Sequence, residues 1–174
     1  KHGGKLMQTE DEIAAISATI GAGYAGARAA TATSGPGFAL MAEMMGLGVM
    51  AEVPSVIFVS QRGGPSTGMP TKTEQSDLNI AVFGAAGDGQ RIELAPTNVE
   101  GCYKCAGKAF EIGEKYQTPV VVLLDLYLSN RYEAVALPRK NPFAANCSKA
   151  VPSGKKEAPY KRFAMTADNV SPRA

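Results

Sequence analysis

The stretch PSVIFVSQRGGPSTGMPTKTEQSDL, residues 54–78, decides how the chain is read. Its first seven residues, PSVIFVS, are an apolar run of strand length, of the kind buried on both faces of a parallel sheet. From Ser60 to Leu78 the chain becomes a Gly/Pro/Ser/Thr loop with one arginine, Arg62, at its mouth. A loop this long without structure of its own is either functional or disordered. Arg62 has two readings. It is a solvated loop cation, or it is a bidentate clamp for a carboxylate, a task that suits a guanidinium better than an ammonium. The glycines beside it allow close backbone approach to a ligand, and Ser66, Thr67, Thr71 and Thr73 offer hydroxyl donors.

Outward from this stretch, helix and strand alternate. TEDEIAAISATIGAGYAGA (9–27) predicts a helix. Acidic residues occupy its first turn, where the macrodipole favours anions. Thr9 with Glu12 makes a capping-box pattern, and Ile13, Ile16 and Ile20 repeat at helical spacing. The alanines between them leave almost every face small, and the glycines from Gly21 onward are expected to end the helix. AATATS (29–34) predicts a strand, GPG a turn, and FALMAEMMGLGVMAE (38–52) an apolar helix. Beyond the loop, 76–85 and 98–116 read as helices, RIELA (91–95) as a strand and PVVVLLDLY (119–127) as a second buried strand.

This spacing predicts an α/β domain, a mostly parallel sheet flanked by helices, over 1–137. Residues 138–174 dissolve into prolines, lysines and polar pieces, and read as a linker or extended tail toward a further C-terminal domain. Ligands of such sheets bind outside the carboxyl ends of the strands. Two loops with unusual chemistry leave those ends: TSGPG after the first strand and SQRGGPSTG after the second.

Composition excludes several classes. The 174 residues suffice for one domain with a core. With 18 basic and 16 acidic side chains the charge is nearly balanced, which offers no nucleic-acid surface. The late basic residues, Lys155, Lys156 and PYKR (159–162), read as a solvated tail. Three cysteines give no disulfide framework. Cys102 and Cys105 sit in a helical pattern with no second pair, so they read as structural filler rather than zinc or cluster ligands. Reduced thiols, no apolar run of the ~20 residues that cross a membrane, and no signal peptide make the expected location cytoplasmic. NCS (146–148) and NVS (169–171) match the glycosylation acceptor, which has no meaning without secretion.

Two motifs are refused. Gly21-Ala-Gly-Tyr-Ala-Gly26 spells a dinucleotide fingerprint, but it closes a helix instead of following a strand. Gly87-Asp88-Gly89 resembles the start of the magnesium–diphosphate motif of thiamine diphosphate enzymes. Asn98 lies too near and Asn130 too far to complete it, so this chain is not expected to hold a diphosphate itself.

Glu12 also has two readings: a capping-box glutamate on the surface, or a carboxyl group partly buried against a ligand. Here a resemblance adds to the residues. QTEDEIAAISATIGAGYAGARAATATSGPGFALMAEMMGLGVMAEVPSVIFVSQRGGPSTGMPTKTEQSDL, with LAPTNVEGC, YQTPVVVLLDLYLS and, weakly, YKRFAMTADNVSPRA, resembles the alpha subunit of 2-oxoacid:ferredoxin (acceptor) oxidoreductases, of the 2-oxoglutarate type. QRGGPSTGMPTKTEQSDL is specific to that group, whereas TSGPG recurs among thiamine diphosphate enzymes.

The resemblance implies the pyrimidine-binding domain of a thiamine diphosphate enzyme. It places the glutamate that contacts N1′ of the aminopyrimidine at Glu12, with Glu10 the runner-up, and the cofactor-approaching loop at Ser34, Gly35, Pro36 and Gly37. It places the substrate-carboxylate arginine at Arg62; Thr67, among the hydroxyl donors of the loop, is the further substrate contact expected there. The implied reaction is oxidative decarboxylation of a 2-oxoacid to an acyl-coenzyme A with reduction of ferredoxin. A beta subunit would carry the diphosphate half of the site, and the iron–sulfur clusters would sit on partner subunits. Family alpha subunits begin with a further βα unit and continue into another domain. The chain is therefore expected to be a fragment, incomplete at its N-terminus and inactive alone. A non-redox decarboxylase or acetolactate-type enzyme sharing TSGPG, and a non-catalytic interaction domain on the same scaffold, stay open.

Overall fold

The computed structural model describes residues 4–136 and 161–171. In chain order the elements are α1 (Glu12–Tyr24), β1 (Ala30–Thr33), α2 (Gly35–Leu40), α3 (Ala42–Met50), β2 (Ser55–Gln61), α4 (Leu78–Phe83), β3 (Ile92–Leu94), α5 (Val99–Tyr116), β4 (Pro119–Asp125) and α6 (Leu126–Ser129). The four strands form one parallel sheet in the order β1-β2-β4-β3. This is the α/β architecture expected from the alternation.

The two apolar runs take the centre. β2 and β4 pair over seven residues, from Ser55 opposite Pro119 to Gln61 opposite Asp125. Ile57, Val59, Val121 and Leu123 point to one face, where Ile16 and Ile20 of α1, Phe38, Met41 and Met45 meet them. Val56, Val120 and Val122 point to the other face, against Ala109 of α5. Each such aliphatic side chain contributes about 1.5–3 kcal/mol through burial. Val59 of β2 is paired with Thr33 of β1, so TSGPG and the Arg62 loop leave the sheet side by side.

Several elements differ from the sequence expectation. Thr9 is not the N-cap of α1. Asp11 is, and its Oδ1 accepts the Ala14 N–H at 2.7 Å, while Thr9 Oγ1 donates to the Asp11 carbonyl. Aspartate caps at least as well as threonine, so the first turn starts two residues later and Glu12 is its first residue, free of capping. α1 ends inside the glycine run, at Tyr24, with Gly26 at φ +83° just beyond it. A Cβ on Gly23 would overlap the Pro54 carbonyl, so that glycine lets the helix lie against the entry to β2. The G-x-G-x-x-G run closes this helix and follows no strand.

GPG is not a free turn but the start of α2, with Ser34 at the N-cap position and no capping bond from its side chain. A proline in a helix's first turn loses no hydrogen bond, because that N–H has no helical partner. The apolar helix expected over 38–52 is two helices meeting at Met41. After Asp125 the chain turns into α6, with Asp125 Oδ1 accepting the Leu128 N–H at 2.7 Å.

Of the tail expected over 138–174, residues 138–160 lie outside the described residues, and with them Lys155, Lys156 and the 146–148 acceptor. Residues 161–171 lie on the domain. The Arg162 guanidinium donates to the carbonyls of Ala51 and Glu52, both at 2.7 Å. The buried amide of Gln117 pairs with both backbone groups of Ser171.

Candidate active site

The carboxyl ends of β1 and β2 bring Glu12, TSGPG and Arg62 together. At Gly37 a Cβ would lie 2.6 Å from Glu12 Cγ and Oε1, and closer still to Thr33 Oγ1. At Gly35 a Cβ would meet Arg62 Nε at 3.4 Å and Cγ at 3.6 Å. A carboxylate and a guanidinium therefore meet the first turn of α2, two residues apart along it. Gly35 has φ +38°, a backbone that L side chains rarely adopt, so glycine is needed there for conformation as well as space. Gly37, beside the carboxylate, is buried, and Phe38 after it belongs to the core. Glu10 is exposed and precedes the Asp11 cap, outside this arrangement.

The loop after β2 is folded on itself. The Gly63 N–H donates to Lys72 O, the Met69 N–H to Gly63 O at 2.8 Å, and the Gly64 N–H to Glu74 Oε2. The Gly64–Pro65 peptide is cis. Ser76 Oγ donates to the Arg62 carbonyl at 2.7 Å, and buried Gln61 accepts the Asp77 N–H at 3.1 Å. Gln75 reaches Asp125 at the end of β4 at 3.0 Å. These bonds fix the base of Arg62. Its Nη2 donates to the Thr67 carbonyl at 3.2 Å, while its Nε is buried with no partner. Thr67 thus meets Arg62 through its backbone, and the residue itself is exposed, as are Ser66, Thr71, Thr73 and Lys72.

Three groups of this region carried no sequence signal of their own. Thr33, the last residue of β1, has a buried hydroxyl without a partner. Asp77 has a buried Oδ2 without a partner. Burial pushes its carboxyl above the ordinary range; Arg62 pulls it back and Glu74 adds to the rise. Gln61 is a buried amide that organises the loop exit. Side chains of these types are common on loops and strand ends, and only the folded register gathers them.

Other features lie elsewhere. A cavity of about 370 Å³, lined among others by Glu52, Gln90, Arg91 and Thr118, opens at the amino ends of β3 and β4, and none of the residues above line it. We place the site at the carboxyl ends, where parallel sheets bind ligands. Cys102 and Cys105 are free thiols on α5, and burial pushes the Cys102 thiol up, away from reactivity. Among the described residues no group of three His, Cys, Asp or Glu side chains could hold a metal ion, and no helix is long and apolar enough to cross a membrane.

Comparison with known proteins gives a consistent set of similarities. A family profile described as "Pyruvate flavodoxin/ferredoxin oxidoreductase, thiamine diP-bdg" matches residues 1–172. The chain is 47% identical over 171 residues to "2-oxoacid:ferredoxin oxidoreductase 1, subunit alpha" of Sulfurisphaera tokodaii, an alignment covering 97% of the chain and 27% of that protein. It is 51% identical over 138 residues to "2-oxoglutarate synthase subunit KorA" of Archaeoglobus fulgidus, covering 79% of the chain and 40% of that protein. Among solved structures, "2-oxoglutarate:ferredoxin oxidoreductase from Magnetococcus marinus with 2-oxoglutarate, coenzyme A and succinyl-CoA bound" superposes with a TM-score of 0.84 at 45% identity, over 99% of the chain and 30% of that chain. The chain thus spans about a quarter to two-fifths of the length of these relatives.

Proposed function

Because this chain belongs to the pyruvate flavodoxin/ferredoxin oxidoreductase thiamine diphosphate-binding family, we propose that it is the pyrimidine-binding part of the alpha subunit of a cytoplasmic 2-oxoacid:ferredoxin oxidoreductase. Residues 1–137 form the binding domain, and 161–171 of the segment that follows dock back onto it through Arg162 and Ser171. The substrate is a 2-oxoacid, and the names of relatives favour 2-oxoglutarate. A beta subunit would hold the diphosphate and Mg²⁺, partner subunits would hold the iron–sulfur clusters that supply electron transfer to ferredoxin, and coenzyme A would be the acyl acceptor. The observation that carries this reading is the placement of Glu12 and Arg62 against the one TSGPG stretch.

The residues present fit an aminopyrimidine. Gly37, lacking a Cβ, lets the Glu12 carboxylate and the unpartnered Thr33 hydroxyl come up against its backbone, and these are groups that an aminopyrimidine could meet. Glu12 and Ser34–Gly37 would hold the ring, and bound there thiamine diphosphate supplies the electron sink for loss of CO₂. The part of Glu12 is to hydrogen-bond the ring nitrogen N1′ and hold or release a proton at Oε. Beside buried Gly37 and Phe38 the low local dielectric strengthens that bond. Arg62 orients the substrate carboxylate, which is catalysis by positioning. Its fixed base and its Thr67 contact limit where the guanidinium can reach.

The test is Glu12→Gln in a holoenzyme assembled with full-length alpha and beta subunits. Proton exchange at C2 of thiamine diphosphate is expected to slow by about 10² or more, the scale of a lost acid–base contact, with 2-oxoacid-dependent ferredoxin reduction falling alongside. Unchanged exchange in a folded, assembled variant would reduce Glu12 to the first residue of α1.

A further inference from the structure

We propose that Thr33 is a positioning residue for Glu12: its hydroxyl donates to the Glu12 carboxylate and fixes which oxygen faces the aminopyrimidine. The inference rests on the reading of Glu12 given above. Two independent observations carry it.

The first is proximity. Thr33 Oγ1 and Glu12 Oε1 both crowd the point where a Cβ on Gly37 would stand, so a glycine at 37 is what allows the two side chains to share that space. The second is an unmet hydrogen bond. Thr33 Oγ1 is buried and without a partner, and a buried hydroxyl is costly to leave unpaired. The Gly37 N–H does not serve the hydroxyl, because it donates to the Ser34 carbonyl at 3.0 Å. Thr33 is the last residue of β1, paired with Val59 of β2, so its place is set by the sheet and not by a loop. Glu12 is the opposite case. It stands in the first turn of α1, and the cap there is made by Asp11. Its longer side chain moves easily, and a small rotation brings a carboxylate oxygen to the fixed hydroxyl.

The consequence is chemical. A carboxylate has two equivalent oxygens and several acceptor directions. A short, charge-assisted bond from Thr33 occupies one of them and leaves the other oxygen for N1′. Such a bond orders Glu12 before the cofactor arrives. It bears on cofactor affinity and on proton exchange, and leaves recognition of the substrate carboxylate to Arg62.

The experiment uses the holoenzyme with Thr33→Val, Thr33→Ser, Glu12→Gln and the Thr33/Glu12 double variant. Valine keeps the β-branched shape and removes the hydroxyl; serine keeps the hydroxyl. Three quantities are read: thiamine diphosphate affinity by calorimetric titration of the cofactor-free protein, C2 proton exchange, and the split between kcat and KM for the 2-oxoacid. Thr33→Val is expected to weaken cofactor binding and slow exchange by about 10-fold, the size of one hydrogen bond to a charged group, with KM unchanged. Thr33→Ser should restore most of both. On the Glu12→Gln background, Thr33→Val should add little.

A full additional loss in the double variant would mean that the hydroxyl meets the cofactor directly, and it overturns the inference. So does a Thr33→Val enzyme that binds and exchanges normally while Glu12→Gln is impaired, and in that case the reading of Glu12 stands. If Glu12→Gln itself changes nothing, the reading of Glu12 is what fails, and the inference falls with it. Should Thr33→Val not assemble, Thr33→Ala enters the same cycle and is read by the same criteria.

Discussion

At the scale of single residues, the site is bordered by one carboxyl that costs the fold something. Asp77 Oδ2 is buried without a partner, and its backbone N–H is held by Gln61, which keeps the residue in place. Burial raises its pKa more than Arg62 lowers it. A carboxyl whose folded value is raised holds its proton more tightly in the folded chain than in the unfolded one. Its favourable contribution is complete below the ordinary value, about pH 4, and is lost as pH rises through the folded value. At neutral pH ionised Asp77 therefore destabilises the fold. Asp77→Asn should raise the melting temperature near pH 7, and the gain should shrink toward zero as the pH is lowered to about 4. A gain that persists unchanged in acid would assign the effect to asparagine as a better cap for α4 rather than to charge. A protein keeps such a residue where the charge serves another end, and here the charge lies beside the arginine assigned to the substrate.

At the scale of elements, α1 decides how Glu12 is presented, and its start is set by Asp11. Asp11→Ala should cost about 1 kcal/mol, the usual size of a lost cap, and should loosen the first turn that carries Glu12. Thr9→Ala should cost almost nothing, because Thr9 only donates to the Asp11 carbonyl. Chemical denaturation of the two variants separates them, and equal losses would return the cap to Thr9. The case also shows which elements were legible in the sequence. β2 and β4 were, because strands buried on both faces need uninterrupted apolar runs, and PSVIFVS and PVVVLLD are such runs. The amphipathic α5 was legible too, with Asn98 accepting the Gly101 N–H at 2.7 Å. α2 was not, because Gly-Pro-Gly signals a turn to any local rule. The competing preference of proline for a helix's first turn wins only once Phe38 is buried against the sheet. The cap was misplaced at Thr9, because Thr9 with Glu12 spells a capping box while Asp11 satisfies the same local preference. Glu12 and Arg62 could be singled out by residue type and position. Thr33 could not, since its importance lies in the space left by Gly37 on a neighbouring element.

At the scale of the whole molecule, alternation predicted a parallel sheet but not its order, and the insertion of β4 between β2 and β3 is a matter of tertiary packing. The same holds for residues 161–171, which lie on the amino side of the sheet, far in sequence from everything they touch. Arg162 anchors them. Its guanidinium caps the end of α3 through the carbonyls of Ala51 and Glu52, and stacks near the rings of Tyr24 and Phe163. Lysine would not serve equally, since the planar fork reaches both carbonyls at once. Bonds from a charged donor contribute about 1.5–3 kcal/mol each, against the conformational entropy of ordering the segment. Arg162→Ala is therefore expected to release the segment before the domain itself unfolds. Hydrogen exchange should show protection lost over 161–171 and at the end of α3, with β2 and β4 still protected, while Lys161→Ala, at an exposed position, should change neither. If 161–171 stays protected without the guanidinium, the pairing of Gln117 with Ser171 is the true anchor, and Gln117→Ala should then release it. Whichever residue holds it, the segment ties the chain beyond α5 back to the end of the sheet opposite Glu12 and Arg62. Movement on that side can therefore be altered without touching the chemistry.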